Sequence, residues 1–288
     1  YGMASAITVN VIWGLSFVAA RIALSTLTPV LLATIRFSIA SILYTPIIVN
    51  DLRRRSPLSF RDSLELTLLG FLSISTYFPL QYTGVKYTGA GIASLLVVGL
   101  IPVITGIISS ILLKERLDVK RMLGIVLGLS GIALVTLPGL YIGNIDLFFY
   151  LGVACLLLNA VCWSLYSTLS RRLMGRMKKP SVVTAYVTIL GTLALFPMSI
   201  TSDWNLIRSI QPDQWLSIIY LSTVCSGLGY FLWNFALSKV ETVRAAVWTY
   251  LEPIAAFTGE ALIFKIIPSP ITLVGASIVI VGAILTNR

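Results

Sequence analysis

Long apolar runs alternate with short polar joints along the chain, and the runs fall at about 3–24, 28–49, 63–84, 88–113, 119–138, 148–170, 181–201, 213–237, 242–264 and 270–287. Each is close to the ~20 residues that an α-helix needs to cross a bilayer. The runs are continuously apolar rather than alternating with a period of two, which favours helices over the ~10-residue strands of a membrane barrel. The pattern predicts an all-α integral membrane protein with ten transmembrane helices. The third run is the least uniform, with Glu65 at its start and Tyr77, Gln81 and Tyr82 toward its end. Polar positions inside a span face protein or water rather than lipid.

Composition agrees with that reading. Of 288 residues, 57% are hydrophobic and 11% charged, roughly half the ~25% charge of an ordinary soluble domain. A net charge of +10 would suit a nucleic-acid partner if the cations formed a patch. Instead they sit in short groups between apolar runs, which is how membrane proteins set their orientation, so no nucleic acid is expected. Lys and Arg in alternate joints number sixteen on one side, from Arg53, Arg54 and Arg55 through to Arg288, and three on the other, Lys86, Arg208 and Lys265. This bias predicts a cell (inner) membrane protein with both termini in the cytoplasm.

The chemistry available is narrow. There is no histidine, and Cys155, Cys162 and Cys225 fall inside apolar runs without CxxC spacing. No metal or cofactor is expected, and the cysteines read as small buried hydrophobes. No phosphate-binding loop is present, because the glycines from Gly84 to Gly91 lack the strand context it demands.

Shifting the chain by about 150 residues brings Trp13 onto Trp163 and Ala20-Arg21 onto Ser170-Arg171. An offset of 151 brings Pro102 onto Pro253, Lys114 onto Lys265, Gly124 onto Gly275 and Gly131 onto Gly282. The order and near-constant offset mark a duplication. Residues 1–138 form a first five-helix repeat, 139–149 an external connection, and 150–288 a second repeat. Five is odd, so the second repeat enters the membrane inverted, and a solute site is expected near the midplane between the two.

Helical spacing then picks out candidate site residues. Asn10, Trp13, Phe17 and Arg21 share one face of span one, and Asn159, Trp163, Tyr166 and Ser170 one face of span six. Span three offers Tyr77 and Gln81, span eight Tyr230 and Asn234, and span nine Trp248 and Glu252. Such groups are costly against lipid and should point inward, where an aromatic and amide lining suits a small organic molecule with an apolar body. Packing between helices explains mid-span Trp13, Tyr77, Trp163, Asn234 and Trp248 equally well. Glu252 precedes Pro253, whose missing N–H loosens the helix. A carboxylate there contacts a substrate amine, carries a coupling proton, pairs with Arg36 or caps backbone groups. Gly124, Gly128 and Gly131 in span five, with Gly275 and Gly282 in span ten, allow close helix contact and read as scaffold.

The duplicated unit, the Trp13-Gly14 pair, the Lys114-Glu115-Arg116-Leu117 step after span four and Glu252-Pro253 in span nine resemble the drug/metabolite transporter superfamily, EamA branch. Gly229-Tyr230-Phe231-Leu232-Trp233-Asn234 is similar to the corresponding region of YddG-like exporters of aromatic amino acids. The resemblance covers the whole chain and implies a secondary transporter of small organic metabolites such as amino acids, an exporter or exchanger working by alternating access, not an enzyme. One departure is that Ile266 stands where the repeat offset would place a second copy of Glu115. Competing readings are an intramembrane lipid-modifying enzyme, disfavoured by scattered acids and absent histidine, and a channel. Substrate, coupling and oligomeric state are left open.

Overall fold

The computed structural model describes residues 1–54, 58–136, 147–177, 179–264 and 270–287, and for a few positions inside helices, Phe17, Arg21 and Glu260 among them, the backbone alone. Among the described residues every regular element is helical. The order is α1 (Gly2–Ala23), α2 (Pro29–Arg54), α3 (Phe60–Gly70), α4 (Tyr77–Leu112), α5 (Val119–Thr136), α6 (Leu147–Met177), α7 (Pro180–Ser199), α8 (Pro212–Tyr220), α9 (Gly229–Lys239), α10 (Thr242–Ala246), α11 (Leu251–Phe264) and α12 (Pro270–Asn287). Proline opens α2, α7, α8 and α12, where its missing N–H removes a donor that has no helical partner anyway. The Ser59 hydroxyl accepts from the Asp62 N–H at the start of α3 (3.1 Å).

Two π-helical turns, Phe71–Thr76 and Leu221–Leu228, join α3 to α4 and α8 to α9. They begin 150 residues apart, at the repeat offset of the sequence. Span nine, expected as one helix over 242–264, is divided into α10, a 3-10 turn at Val247–Tyr250 and α11. The tightening falls on the four residues whose last two, Thr249 and Tyr250, precede Pro253 by one turn. There the proline ring crowds the Thr249 carbonyl and offers it no N–H.

Among the described residues, six helical stretches are long and apolar enough to cross a membrane, and Leu96–Leu112 and Leu273–Asn287 are shorter apolar helices. Large apolar side chains such as Ile42, Ile111, Val126, Leu193, Leu216 and Val281 face outward, while Asn10, Asn159, Asn234, Thr184 and Thr188 are fully buried. This inside-out distribution fits lipid as the solvent.

Helical backbone continues through the joint expected at 84–88. A straight α4 would be about 54 Å long and hold Tyr77 and Ile101 about 36 Å apart. Yet the Asn159 amide donates to the Tyr77 carbonyl (2.7 Å) and the Ser164 hydroxyl to the Ile101 carbonyl (3.3 Å). Those two donors are only about 7.5 Å apart along α6, and Gly152 packs beneath Tyr87 and Thr88. The chain therefore turns back on itself beyond Thr88, in a stretch that contains Gly89 and Gly91, and both arms of α4 run along α6.

The packing has a two-fold logic. α5 lies on α12 and α2 on α7, α4 lies on α6 as α11 does on α1, and α3 meets α7 as the Leu221–Leu228 turn meets α2. Gly124 and Gly282 set the closest approach of α5 and α12, since a Cβ on either would stand 2.6 Å from the other's carbonyl oxygen. Close backbones of this kind replace the hydrophobic effect as a source of helix association in lipid.

Candidate functional site

A π turn leaves carbonyls out of the regular ladder and is a frequent mark of functional sites. Here those carbonyls are taken by aromatic side chains from distant helices. Trp13 Nε1 donates to the Cys225 carbonyl (3.0 Å), the Tyr230 hydroxyl to the Ser73 carbonyl (2.8 Å), and the Tyr44 hydroxyl to that of Gly227. Gly229 admits the Trp13 indole, because a Cβ there would lie 2.8 Å from Nε1. The anchored rings gather into one cluster. Trp163 stands 5.2 Å from Trp13 edge-on, 5.1 Å from Tyr77, 5.2 Å from Tyr166 and 5.7 Å from Trp233, measured between ring centroids.

Against this cluster lies a cavity of about 550 Å³, large enough for a small organic molecule. Trp13, Trp163, Tyr77, Phe78 and Tyr230 form its aromatic wall, and Val97, Val98 and Ile101 an aliphatic one. Arg36, Glu252, Gln81, Tyr82 and Ser16 supply its polar groups, and Leu24, Ser25, Val85 and Ala93 line it toward the C-terminal end of α1.

Arg36 is only 5% exposed. Its Nε donates to the Ser226 hydroxyl (2.5 Å), and its guanidinium lies over the rings of Phe37 and Phe78 at 5.2 and 5.0 Å, a cation–π arrangement that holds the charge without neutralising it. Glu252 stands in the first turn of α11, where Gly14 lets the backbone of α1 pass beside the Glu252 carbonyl. The pairing of Glu252 with Arg36 that the sequence leaves open is not made. No ion pair among the described residues includes either of them.

Of the residues singled out in the sequence, Trp13, Tyr77, Gln81, Trp163, Tyr230 and Glu252 line the cavity. Others sit behind its wall as structural bonds. Asn159 holds the Tyr77 carbonyl, and Asn10 donates to the Ala6 carbonyl one turn back (2.7 Å). Asn234 accepts from the Ser170 hydroxyl (2.6 Å) and donates to Tyr166 and Thr184 (both 2.9 Å), so Tyr166 and Asn234 are both consumed in one fully buried network. Trp248 donates to the Met3 sulfur (2.7 Å). The side chain of Phe17, with those of Arg21 and Glu260, lies outside the described residues, as do Lys265 and Ile266. Arg36 and Tyr82 are cavity residues that the stripe analysis did not select. An arginine inside an apolar run is itself a signal, although the sequence alone offers it only as a partner for Glu252.

The opposite end is closed by a polar knot. Glu115 accepts from the Thr242 N–H (2.8 Å), the Thr242 hydroxyl (3.0 Å) and the Val243 N–H (3.3 Å), and pairs with Arg171. Arg171 also donates to the Leu237 and Val240 carbonyls. Gly2, at the start of α1, packs on Lys239 and Val240, so the knot and the N-terminal end of α1 share one end of the molecule while the cavity extends toward the other.

A bundle of apolar helices around a buried, solute-sized cavity that carries both signs of charge defines a class of multi-pass membrane transport protein. The chain belongs to the EamA-like transporter family, whose profile matches residues 1–137 and 150–288. It is 28% identical to an uncharacterized transporter of Archaeoglobus fulgidus over 96% of this chain and 95% of that protein. It is 26% identical to a probable amino-acid metabolite efflux pump of Escherichia coli, covering 96% and 91%. It is also 26% identical to a probable terminal-alkyne amino-acid exporter of Streptantibioticus cattleyicolor, covering 96% and 90%. A crystal structure with 19% identity superposes with a TM-score of 0.80 over 99% of this chain and 95% of that one, and shares the fold. The relatives are named as transporters and efflux pumps, which sets aside the lipid-modifying enzyme.

Proposed function

We propose that the chain is a secondary transporter that exports or exchanges small organic metabolites such as amino acids, by alternating access between two inverted five-helix repeats. The observation that carries this reading is the cavity of about 550 Å³ with walls from α1, α2 and α4 and also from α6, α9 and α11, so that both halves contribute to one compartment. The exchange of packing partners between halves and the two π turns 150 residues apart support the repeat. The proposed division is 1–138, 139–149 and 150–288.

Arg121, Arg171, Lys239 and Arg244, all from the more basic set of joints, fall with the N-terminal end of α1 and the knot, so that end is assigned to the cytoplasm of an inner-membrane protein with both termini inside. The cavity then faces outward and the Glu115–Arg171 knot is the closed inner gate. Drive comes from the substrate gradient, exchange or protons.

The experiment is counterflow in proteoliposomes, paired with labelling by a membrane-impermeant maleimide at single cysteines replacing Ser25 and Ser238. Saturable, exchange-stimulated flux of an amino acid, with Ser25→Cys labelled from outside and Ser238→Cys from inside, supports the reading. Large unitary currents without saturation, or both positions labelled from one side, would remove it.

A further inference from the structure

Arg36 and Glu252 line the same cavity, and neither has an ionic partner among the described residues. An isolated charge in a low-dielectric interior is strongly unfavourable unless something else meets it. Arg36 Nε is tied to Ser226, the side chain is packed over Phe37 and Phe78, and the Tyr82 hydroxyl lies beside its guanidinium, a fixed cation whose N–H groups suit a carboxylate. Glu252 is fixed by close packing of α1 on its backbone, and its carboxylate is acceptor-only when ionised. Tyr77 lines the same cavity as both groups.

We propose that Arg36 and Glu252 are specificity-determining residues that select solutes bearing a carboxylate and an ammonium together, Arg36 receiving the carboxylate and Glu252 the ammonium. This rests on the transporter reading and names its substrate class: α-amino acids with an aromatic or aliphatic side chain, whose body packs on Trp13, Trp163 and Ile101. A zwitterion is the one small ligand that neutralises both walls at once. A monoamine leaves Arg36 bare, a monocarboxylate leaves Glu252 bare, and a neutral sugar leaves both. The two residues come from α2 and α11, one from each half of the chain, so a bound zwitterion also ties the halves together.

The test measures half-saturating concentrations with the full chain in detergent, by quenching of tryptophan fluorescence. The probes are L-phenylalanine, L-leucine, L-phenylalaninamide, which lacks the carboxylate, and N-acetyl-L-phenylalanine, which lacks the ammonium. The wild type is expected to bind both amino acids, and each single-charge analogue at least ten-fold more weakly than L-phenylalanine. Arg36→Gln should erase the preference over the amide and keep that over the N-acetyl compound; Glu252→Gln should do the reverse; Arg36→Lys should restore part of the first preference. If Arg36→Gln fails to fold, the Glu252→Gln arm and the wild-type series decide alone. Equal binding of all four probes, preferences unchanged in the variants, or no binding of either amino acid overturns the proposal. Counterflow of a metabolite mixture separates the two readings. Flux without the crossed preferences removes the pair and keeps the transporter, whereas crossed preferences without flux keep the pair and remove the transporter.

Discussion

Arg171 Nε stands 3.1 Å from Glu115 Oε1, and around this one pair the backbones of three segments are held. Glu115 caps the first N–H groups of α10, and Arg171 donates to the carbonyls of Leu237 near the end of α9 and of Val240 just beyond it. Helix starts carry partial positive charge and helix ends partial negative charge, so each member of the pair also meets the dipole it favours.

Glu115→Ala should therefore lower stability by about 2–3 kcal/mol, below the full loss of a buried pair because Arg171 is 28% exposed and can rehydrate. Thermal unfolding in detergent measures the loss. A cysteine replacing Ser238, in the cleft beside the pair, should react several-fold faster in the Glu115→Ala background.

Asn234→Ala removes three hydrogen bonds from a fully buried network and leaves Ser170, Tyr166 and Thr184 short of partners. A loss of about 1–3 kcal/mol is expected. Since Asn234 does not touch the cavity, protein that remains folded should keep its half-saturating substrate concentration, as read from uptake kinetics.

Gly282→Val should separate α5 from α12, because even a methyl group would stand 2.6 Å from the Gly124 carbonyl. Overpacking of this sort costs about 1–3 kcal/mol or more where backbone is the obstacle. Gly175, with nothing within 4 Å of a Cβ, serves as the control: Gly175→Ala should leave the melting profile unchanged or raise it slightly.

Trp13→Phe keeps a ring in the cluster and loses the N–H bond to the Cys225 carbonyl. About 1 kcal/mol of stability should go. Trp13→Ala should cost about 3–5 kcal/mol, so transport lost in the alanine variant is informative only alongside the phenylalanine one.

Most helix positions were legible because a bilayer imposes a length on apolar runs: α1, α2, α5, α7 and α12 begin and end within a few residues of the hydrophobic pattern, apart from the overrun of α2 to Arg54. The pattern missed the helical turn-back beyond Thr88, since residues that mark a joint by polarity can still be helical. It missed the π turns because one extra residue per turn hardly alters apolar content. For the site, periodicity gave the inward face of α1 and α6 but not depth or neighbours. Asn10 is met by the Ala6 carbonyl of its own helix, whereas Asn159 and Asn234 are met by carbonyls and hydroxyls of other helices that no single-helix reading can supply. Arg36 has no stripe around it; its environment is assembled by Phe37 of its own helix, Phe78 of α4 and Ser226 of the Leu221–Leu228 turn.

Beneath the cavity, Trp233, Tyr166 and Asn234 are packed with almost no solvent-accessible surface. These three residues close the floor beneath a molecule resting against Trp163. Passage onward would require the stopper of Trp233, Tyr166 and Asn234 to come apart and re-form behind the traveller. Under the proposed alternating access, throughput would be tied to the rate at which a solid core can be taken down and rebuilt, far slower than ions file through an open pore.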